Sequence, residues 1–186
     1  MVSRSSTLNE IKELVAKCIN QVYVEDRFLF SRNRGVGVCE RAIVFRFAHY
    51  LQDRIPNYFV DCDFNSSFEG YIDQGGNIIG QERPGKPIEN ENGTITKRFI
   101  DIIVHKRDYQ TRNDLICFEI KKWNNRNSIE IRKDKNNLRV LTSQYGYIYG
   151  FHISFHRERE KTTWEIFENG SSIEQKSLVF QNETER

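Results

Sequence analysis

FIDIIV at residues 99–104 and LICFEIK at residues 115–121 are two strongly apolar stretches of the chain. Both are rich in Ile, Val, Leu and Phe, the composition of β-strands that are covered on both faces. The intervening segment, residues 106–114, is polar and typical of a loop. We therefore expect two adjacent antiparallel strands in the middle of a sheet.

Each of these stretches contains one acidic residue, Asp101 in the first and Glu119 in the second. If the loop is centred on Gln110, the two acids face each other, with Cβ atoms about 4.5–5.5 Å apart. Lys121 lies two residues beyond Glu119 and therefore points to the same face of the sheet. Two carboxylates this close repel each other and resist burial, a cost that a divalent cation with oxygen ligands relieves. A cross-strand salt cluster on a solvated sheet face is the alternative.

Helical periodicity predicts an N-terminal helix over about residues 7–22 and a second helix over about 38–54. Glu40 lies at the N-terminal end of the buried face of the second helix. It is therefore a candidate site residue, although an acid at a helix N-terminus is also favourable in itself. Further elements are predicted as strands over 58–64 and 145–155, a helix over 128–143, an edge strand over 162–167, and an insertion over 66–97 with a small hairpin.

This order of elements predicts an α/β fold in which helices flank a mixed central sheet. A chain of 186 residues fits one domain. We expect the domain to span residues 1–186, with its core at about 38–155. The four cysteines have neither metal-ligand spacing nor the pattern of a disulfide framework, and we expect neither an apolar leader nor a membrane span. We therefore expect a cytoplasmic protein without a membrane partner.

The charge is nearly balanced over the whole chain, with 28 basic and 26 acidic residues. Between Lys97 and Lys135, however, there are eleven basic and six acidic residues. A local cationic excess beside the acidic pair is what a protein that binds a phosphate backbone needs. A run such as residues 132–135 is also typical of a solvated helix face.

The pattern of Asp101, seventeen intervening residues and then Glu119-Ile120-Lys121 resembles the PD-(D/E)xK nuclease superfamily, the restriction-endonuclease-like fold. The predicted elements match the core of that family, α-β-β-β-α-β, here with an extra N-terminal helix. The stretches at 39–42, 60–65, 101–105 and 118–122 look like a bacterial branch of these nucleases. The chain departs from the family pattern at Ile100, where the family often has Pro, and in the insertion.

The resemblance implies an endonuclease that hydrolyses DNA with Mg²⁺, for which Mn²⁺ can substitute, and without an organic cofactor. Asp101, Glu119 and the backbone carbonyl of Ile120 would bind the metal, and Glu40 would complete its shell. Lys121 would orient or activate the attacking water. A homodimer would suit the cutting of both strands. The cationic residues expected at the DNA are Lys97, Arg98, Lys122, Arg126, Lys133 and Lys135.

Three alternatives remain open from the sequence. The first is an inactive nucleic-acid-binding module on the same fold. The second is a structural or partner-binding α/β domain in which the acids form a salt cluster. The third is a nuclease with the same chemistry that acts on RNA or branched DNA.

Overall fold

The computed structural model describes residues 3–31, 39–63, 66–72, 78–84, 86–89, 93–106, 114–125 and 127–178. Within these residues the α-helices are α1 (Leu8–Glu25), α2 (Glu40–Arg54) and α3 (Ser128–Gln144), and short 3-10 helices span Arg27–Phe30 and Arg159–Lys161. The strands are β1 (Phe59–Cys62), β2 (Ser66–Ile72), β3 (Ile78–Pro84), β4 (Lys86–Glu89), β5 (Ile95–Arg98), β6 (Ile102–His105), β7 (Ile116–Lys122), β8 (Tyr149–Phe155), β9 (Thr163–Glu168) and β10 (Ser171–Ser177).

One six-stranded sheet has the order β1-β6-β7-β8-β9-β10. The strands β7 and β8 are parallel, and the other neighbouring pairs are antiparallel. The parallel pair follows from the connection through α3, because parallel neighbours require a crossover. The prediction of an α/β fold with a mixed sheet flanked by helices is therefore confirmed.

The helices cover opposite faces of this sheet. Phe118 and Ile120 of β7 belong to the core formed with α1 and α2. Cys117, by contrast, packs in a second cluster with Leu138 and Leu141 of α3. Because side chains alternate along a strand, Glu119 and Lys121 lie on the same side as Cys117, beneath α3.

The first two helices follow the sequence pattern closely. A capping box begins α1: the Glu10 N–H donates to Thr7 Oγ1 at 3.3 Å, and the Thr7 N–H donates to the Glu10 carboxylate at 2.7 Å. The apolar stripe predicted for the second helix is buried, and it consists of Ile43, Val44, Phe47, Ala48, Leu51 and Ile55. Burial of this stripe fixes the rotation of α2 and brings its first residue, Glu40, to the end of β7.

Three predictions about strands are wrong. The strand expected over residues 145–155 begins at Tyr149, because α3 continues to Gln144 and residues 145–148 connect it to the strand. The strand expected to begin at Phe99 begins at Ile102, because the carboxylate of Asp101, rather than the backbone, accepts the N–H of the facing strand at Ile120. The strand expected at the sheet edge, β9, is internal because β10 pairs with it. The turn between them holds Asn169 and Gly170 at positive φ, the conformation that an Asn-Gly hairpin turn adopts.

The region predicted as an insertion contains two hairpins, β2–β3 and β4–β5. The small hairpin expected within the insertion is part of the first, in which Ile72 pairs with Ile78. The second hairpin is docked on α3: Ile88 is fully buried in the cluster with Leu138, and the Tyr145 hydroxyl at the end of α3 donates to the Pro87 carbonyl at 2.6 Å. Among the described residues, no helix combines the length and apolarity needed to cross a membrane.

Candidate active site

Asp101 and Glu119 lie beside each other at the point where the pairing of β6 and β7 ends. The pairs Ile102–Phe118, Ile103–Cys117 and Val104–Ile116 establish the register. If this register is extended by one residue beyond Ile102–Phe118, Asp101 lies opposite Glu119, as the sequence predicts. The Ile120 N–H donates to Asp101 Oδ2 at 2.7 Å, and the Asp63 N–H donates to the Asp101 carbonyl at 3.3 Å. These bonds hold Asp101 between the end of β1 and β7, although it precedes its own strand.

Both carboxyl groups are in surroundings that disfavour their charged forms. Burial raises the pKa of Asp101 to about 6, against the opposing influence of the Ile120 N–H and the Lys121 charge. Burial, followed by the charges of Asp101 and Asp134, raises the pKa of Glu119 well above its ordinary value. A positive charge close to this pair would therefore stabilise the ionised forms of both carboxyl groups at neutral pH.

Lys121 supplies part of that charge. Its side chain is almost completely buried, and its Nζ lies 2.9 Å from Asp134 Oδ2 and 3.6 Å from Glu40 Oε1. Burial lowers the pKa of Lys121, but the neighbouring carboxylates, Asp134 foremost, outweigh it and the pKa is raised. The ammonium group is therefore fixed in its charged form between β7, α2 and α3.

Glu40 reaches this cluster from the N-terminus of α2. Besides its contact with Lys121, its Oε2 accepts the N–H of Lys122 at 3.0 Å. The structure thus brings together all four side chains predicted as catalytic: Glu40, Asp101, Glu119 and Lys121. The contacts of Glu40 are with Lys121 and the end of β7.

Two residues of α3 belong to the same cluster and are not singled out by the sequence reasoning. Asp134 pairs with Lys121, and Asn137 Nδ2 donates to Glu119 Oε1 at 2.9 Å. The available signal was helical spacing, because residues 134 and 137 continue the inward stripe of Leu138 and Leu141 towards the start of α3. Polar residues on the buried stripe of a helix indicate a polar partner beneath it.

Polar residues also occupy the positions next to Glu119 on the two following strands of the sheet. His152 of β8 pairs with Glu119, and Glu165 of β9 pairs with His152. Lys135 lies above this row with its Nζ 2.6 Å from Glu165 Oε2. Burial, followed by the charges of Lys135 and Lys121, lowers the pKa of His152 to about 4, so His152 is neutral at pH 7.

A cleft of about 380 Å³ lies beside the cluster formed by Glu40, Asp101, Glu119, Lys121 and Asp134, which is called the acidic cluster below. Its lining includes Asp134 and Asn137, which contact Lys121 and Glu119 respectively. The other residues that line it are Lys97, Arg98, Phe99, Glu130 and Lys133.

Only some of the cationic residues expected to contact DNA line this cleft. Lys97, Arg98 and Lys133 line the cleft. Lys122 is half-buried at the end of β7, and Lys135 is engaged with Glu165. Arg126 lies outside the described residues.

The donor atoms at the site suit a hard divalent cation. Two carboxylates with raised pKa and the backbone carbonyl of Ile120 are oxygen donors of the kind that Mg²⁺ and Mn²⁺ prefer. In the part of the chain that the structure describes, no group of three or more His, Cys, Asp or Glu side chains is placed so that it could hold a metal ion. No protein family, curated protein or solved structure matches this chain.

Proposed function

We propose that this protein is a metal-dependent endonuclease that hydrolyses phosphodiester bonds of DNA. The observation that carries the proposal is the placement of Asp101 beside Glu119, where the β6–β7 register extends by one residue and the Ile120 N–H holds Asp101, with Lys121 two residues beyond Glu119 and a cleft lined by Lys97, Arg98 and Lys133 beside them. The proposal includes the restriction-endonuclease-like arrangement of the PD-(D/E)xK superfamily, which the order and register of the central strands support.

Asp101, Glu119 and the carbonyl of Ile120 would hold Mg²⁺, or Mn²⁺ in its place. When bound, such an ion supplies a nucleophilic water at neutral pH and offsets charge on the phosphate. The raised pKa of both carboxyl groups supports this assignment, because a bound cation would offset the cost of keeping two buried carboxylates charged. Asp101 is held on β7 by the Ile120 N–H, so the donor atoms are positioned before any ion arrives.

Lys121 would orient the attacking water and stabilise negative charge on the phosphate during hydrolysis. Its ammonium group stays charged because it lies between Asp134 and Glu40. These two acids fix its direction, and we propose that both position Lys121. Glu40 would also complete the metal shell, as the family resemblance implies.

A structural salt cluster is the second candidate, and the ion pair of 2.9 Å between Lys121 and Asp134 favours it. In that case the cluster would stabilise the packing of α3 on the sheet and catalyse nothing. The two candidates differ in what happens when charge is removed without a change of shape: a salt cluster loses stability, whereas a metal site gains stability and loses activity.

The test is a cleavage assay with the full chain. Plasmid, linear duplex, single-stranded DNA, a four-way junction and RNA are incubated with Mg²⁺, with Mn²⁺ or with EDTA. We expect metal-dependent cutting of DNA, loss of cutting in Asp101→Asn and Glu119→Gln, and a rate lower by about 10²–10³-fold in Lys121→Met. Glu13→Gln, an exposed change on α1, serves as the control and should cut normally. Cutting that survives EDTA or Asp101→Asn would refute the assignment.

A further inference from the structure

Phe99 occupies an unusual position for an apolar ring. Its side chain is 57% exposed although the next residue, Ile100, is fully buried. A single exposed aromatic residue is ordinary on a protein surface. This one lines the cleft, two residues before Asp101, opposite the groups on α3 that touch Glu119 and Lys121.

The backbone around Phe99 is anchored from both directions. On its N-terminal side, β5 is paired with β4 through Arg98–Lys86 and Lys97–Pro87. The hairpin is attached to α3 through buried Ile88 and through the hydrogen bond from Tyr145 to Pro87. On its C-terminal side, Ile100 is buried in the same cluster as Ile88. The backbone that carries Phe99 is therefore fixed on both sides, and its ring is pre-organised for contact at the cleft.

The charges around the ring complement a nucleotide. Lys97 and Arg98 precede Phe99, and Lys133 of α3 lines the same cleft. The lining also contains two acids: Asp134 is paired with Lys121, and Glu130 accepts a hydrogen bond from Asn125 Nδ2 at 3.3 Å. An aromatic ring next to cations is the combination with which proteins hold single-stranded nucleic acid, because the ring stacks on a base while the cations follow the phosphates.

The size of the cleft restricts what can enter it. A volume of about 380 Å³ is near the lower end of ligand pockets, which enclose about 300–1,000 Å³. It suits one nucleotide and not the stacked base pairs of a duplex. Within a duplex the faces of the bases are covered by their neighbours, so a ring can stack only on a base that is unpaired or extruded.

We infer that the substrate carries an unpaired nucleotide at the cleavage position, and that Phe99 stacks on its base. The inference rests on the proposed function, because it takes the phosphate attached to that nucleotide as the one that is hydrolysed. It assigns the substrate class as single-stranded DNA or the unpaired end of a DNA strand. Lys97 and Lys133 contact the phosphates on either side of the stacked base.

Binding of a fluorescent oligonucleotide tests this inference separately from catalysis. A twelve-nucleotide DNA strand with one 2-aminopurine is titrated with the full chain in EDTA, alone and as a fully paired duplex of the same sequence. We expect the wild type to bind the single strand at least about tenfold more tightly than the duplex and to quench its fluorescence. Phe99→Ala should weaken single-strand binding by about tenfold and abolish the quenching, whereas duplex binding stays unchanged.

Three further variants separate stacking from other causes. Phe99→Trp should preserve tight binding and quenching. Phe45→Ala removes a similarly exposed ring, 64% exposed on α2, and should bind both probes as the wild type does. Lys97→Met should weaken single-strand binding but leave the quenching of the bound probe intact, because it removes a phosphate contact and keeps the stacking ring.

The outcomes distinguish a failure of the stacking role from a failure of the proposed endonuclease activity. Equal affinity for single strand and duplex, or single-strand binding that Phe99→Ala leaves unchanged, would overturn the stacking role. If the chain cuts duplex DNA with Mg²⁺ and Phe99→Ala cuts equally well, the endonuclease stands and the substrate class is wrong. If the binding pattern is as expected but nothing is cut, the endonuclease is wrong and the unpaired-base site stands.

Discussion

Asp101→Asn should make the metal-free protein more stable while it removes activity. The substitution keeps the shape of the side chain and an oxygen that can accept the Ile120 N–H. It removes the charge that burial disfavours. Glu119, which faces residue 101, can accept a hydrogen bond from the new amide.

The magnitude follows from the displaced pKa. A carboxyl pKa raised from 3.8 to about 6 corresponds to about 3 kcal/mol of stability lost on ionisation in the folded state. The folded state binds this proton more tightly than the unfolded state does. The wild-type free energy of unfolding therefore falls as the pH rises from about 4 to above 6, and the variant lacks this contribution. We expect the two proteins to be equally stable near pH 4, and the variant to be more stable by up to about 3 kcal/mol at pH 8.

Urea unfolding in EDTA, followed by tryptophan fluorescence between pH 4 and pH 8, measures this difference. Glu13→Gln on the exposed face of α1 is the control and should follow the wild type at every pH. Mg²⁺ at ten times its Kd should then add about 1.4 kcal/mol to the wild type at pH 8 and nothing to the variant. A variant that is less stable than the wild type at pH 8 would refute the reasoning, because it would make Asp101 a partner in a stabilising salt cluster.

Three other changes test the surrounding structure. Asn137→Ala should lower the free energy of unfolding by about 1–3 kcal/mol, because it leaves buried Glu119 without its donor; an unchanged urea midpoint would contradict that contact. Phe47→Ala should cost about 3–5 kcal/mol, because Phe47 is fully buried against Phe118, whereas exposed Phe45→Ala should cost little; equal losses would show that the face of α2 is wrongly assigned. Since burial raises the pKa of Cys18 to about 12, a thiol reagent at pH 8 should modify exposed Cys39 readily and leave Cys18 and Cys117 unmodified until the protein is unfolded; rapid modification of Cys18 in the folded protein would contradict its burial.

Much of the candidate site was predictable from the sequence because it depends on local rules. The hairpin register that opposes Asp101 and Glu119 follows from two apolar stretches and the length of the loop between them. The position of Glu40 follows from the helical stripe of α2, which is buried as expected. Alternation along a strand places Lys121 on the same face as Glu119.

The residues of α3 were harder to recognise because they contradict the usual rule that inward-facing helix positions are apolar. Asp134 and Asn137 face the sheet only because Lys121 and Glu119 lie beneath them. That reason becomes visible once helix and sheet are placed together. Their helical spacing with Leu138 was nevertheless a signal in the sequence, as was the Asn-Gly pair at 169–170 for the last hairpin.

The cleft depends on contacts that no local pattern specifies. The hairpin β4–β5 is fixed by Ile88 against Leu138 and by Tyr145 on Pro87, residues that are far apart in the chain. These contacts place Phe99 and Lys97 beside the acidic cluster. Turn signals in the insertion predict hairpins, but they do not predict where a hairpin will dock.

The most direct test of the central claim is the single-turnover rate of DNA cleavage as a function of Mg²⁺ concentration, for the wild type and Asp101→Asn. We predict that the wild-type rate rises from zero in EDTA and saturates with Mg²⁺, and that the variant, although folded and at least as stable, cuts at no Mg²⁺ concentration. Equal rates for the two proteins, or wild-type cutting that does not depend on Mg²⁺, would contradict the claim that this carboxylate pair holds a catalytic metal.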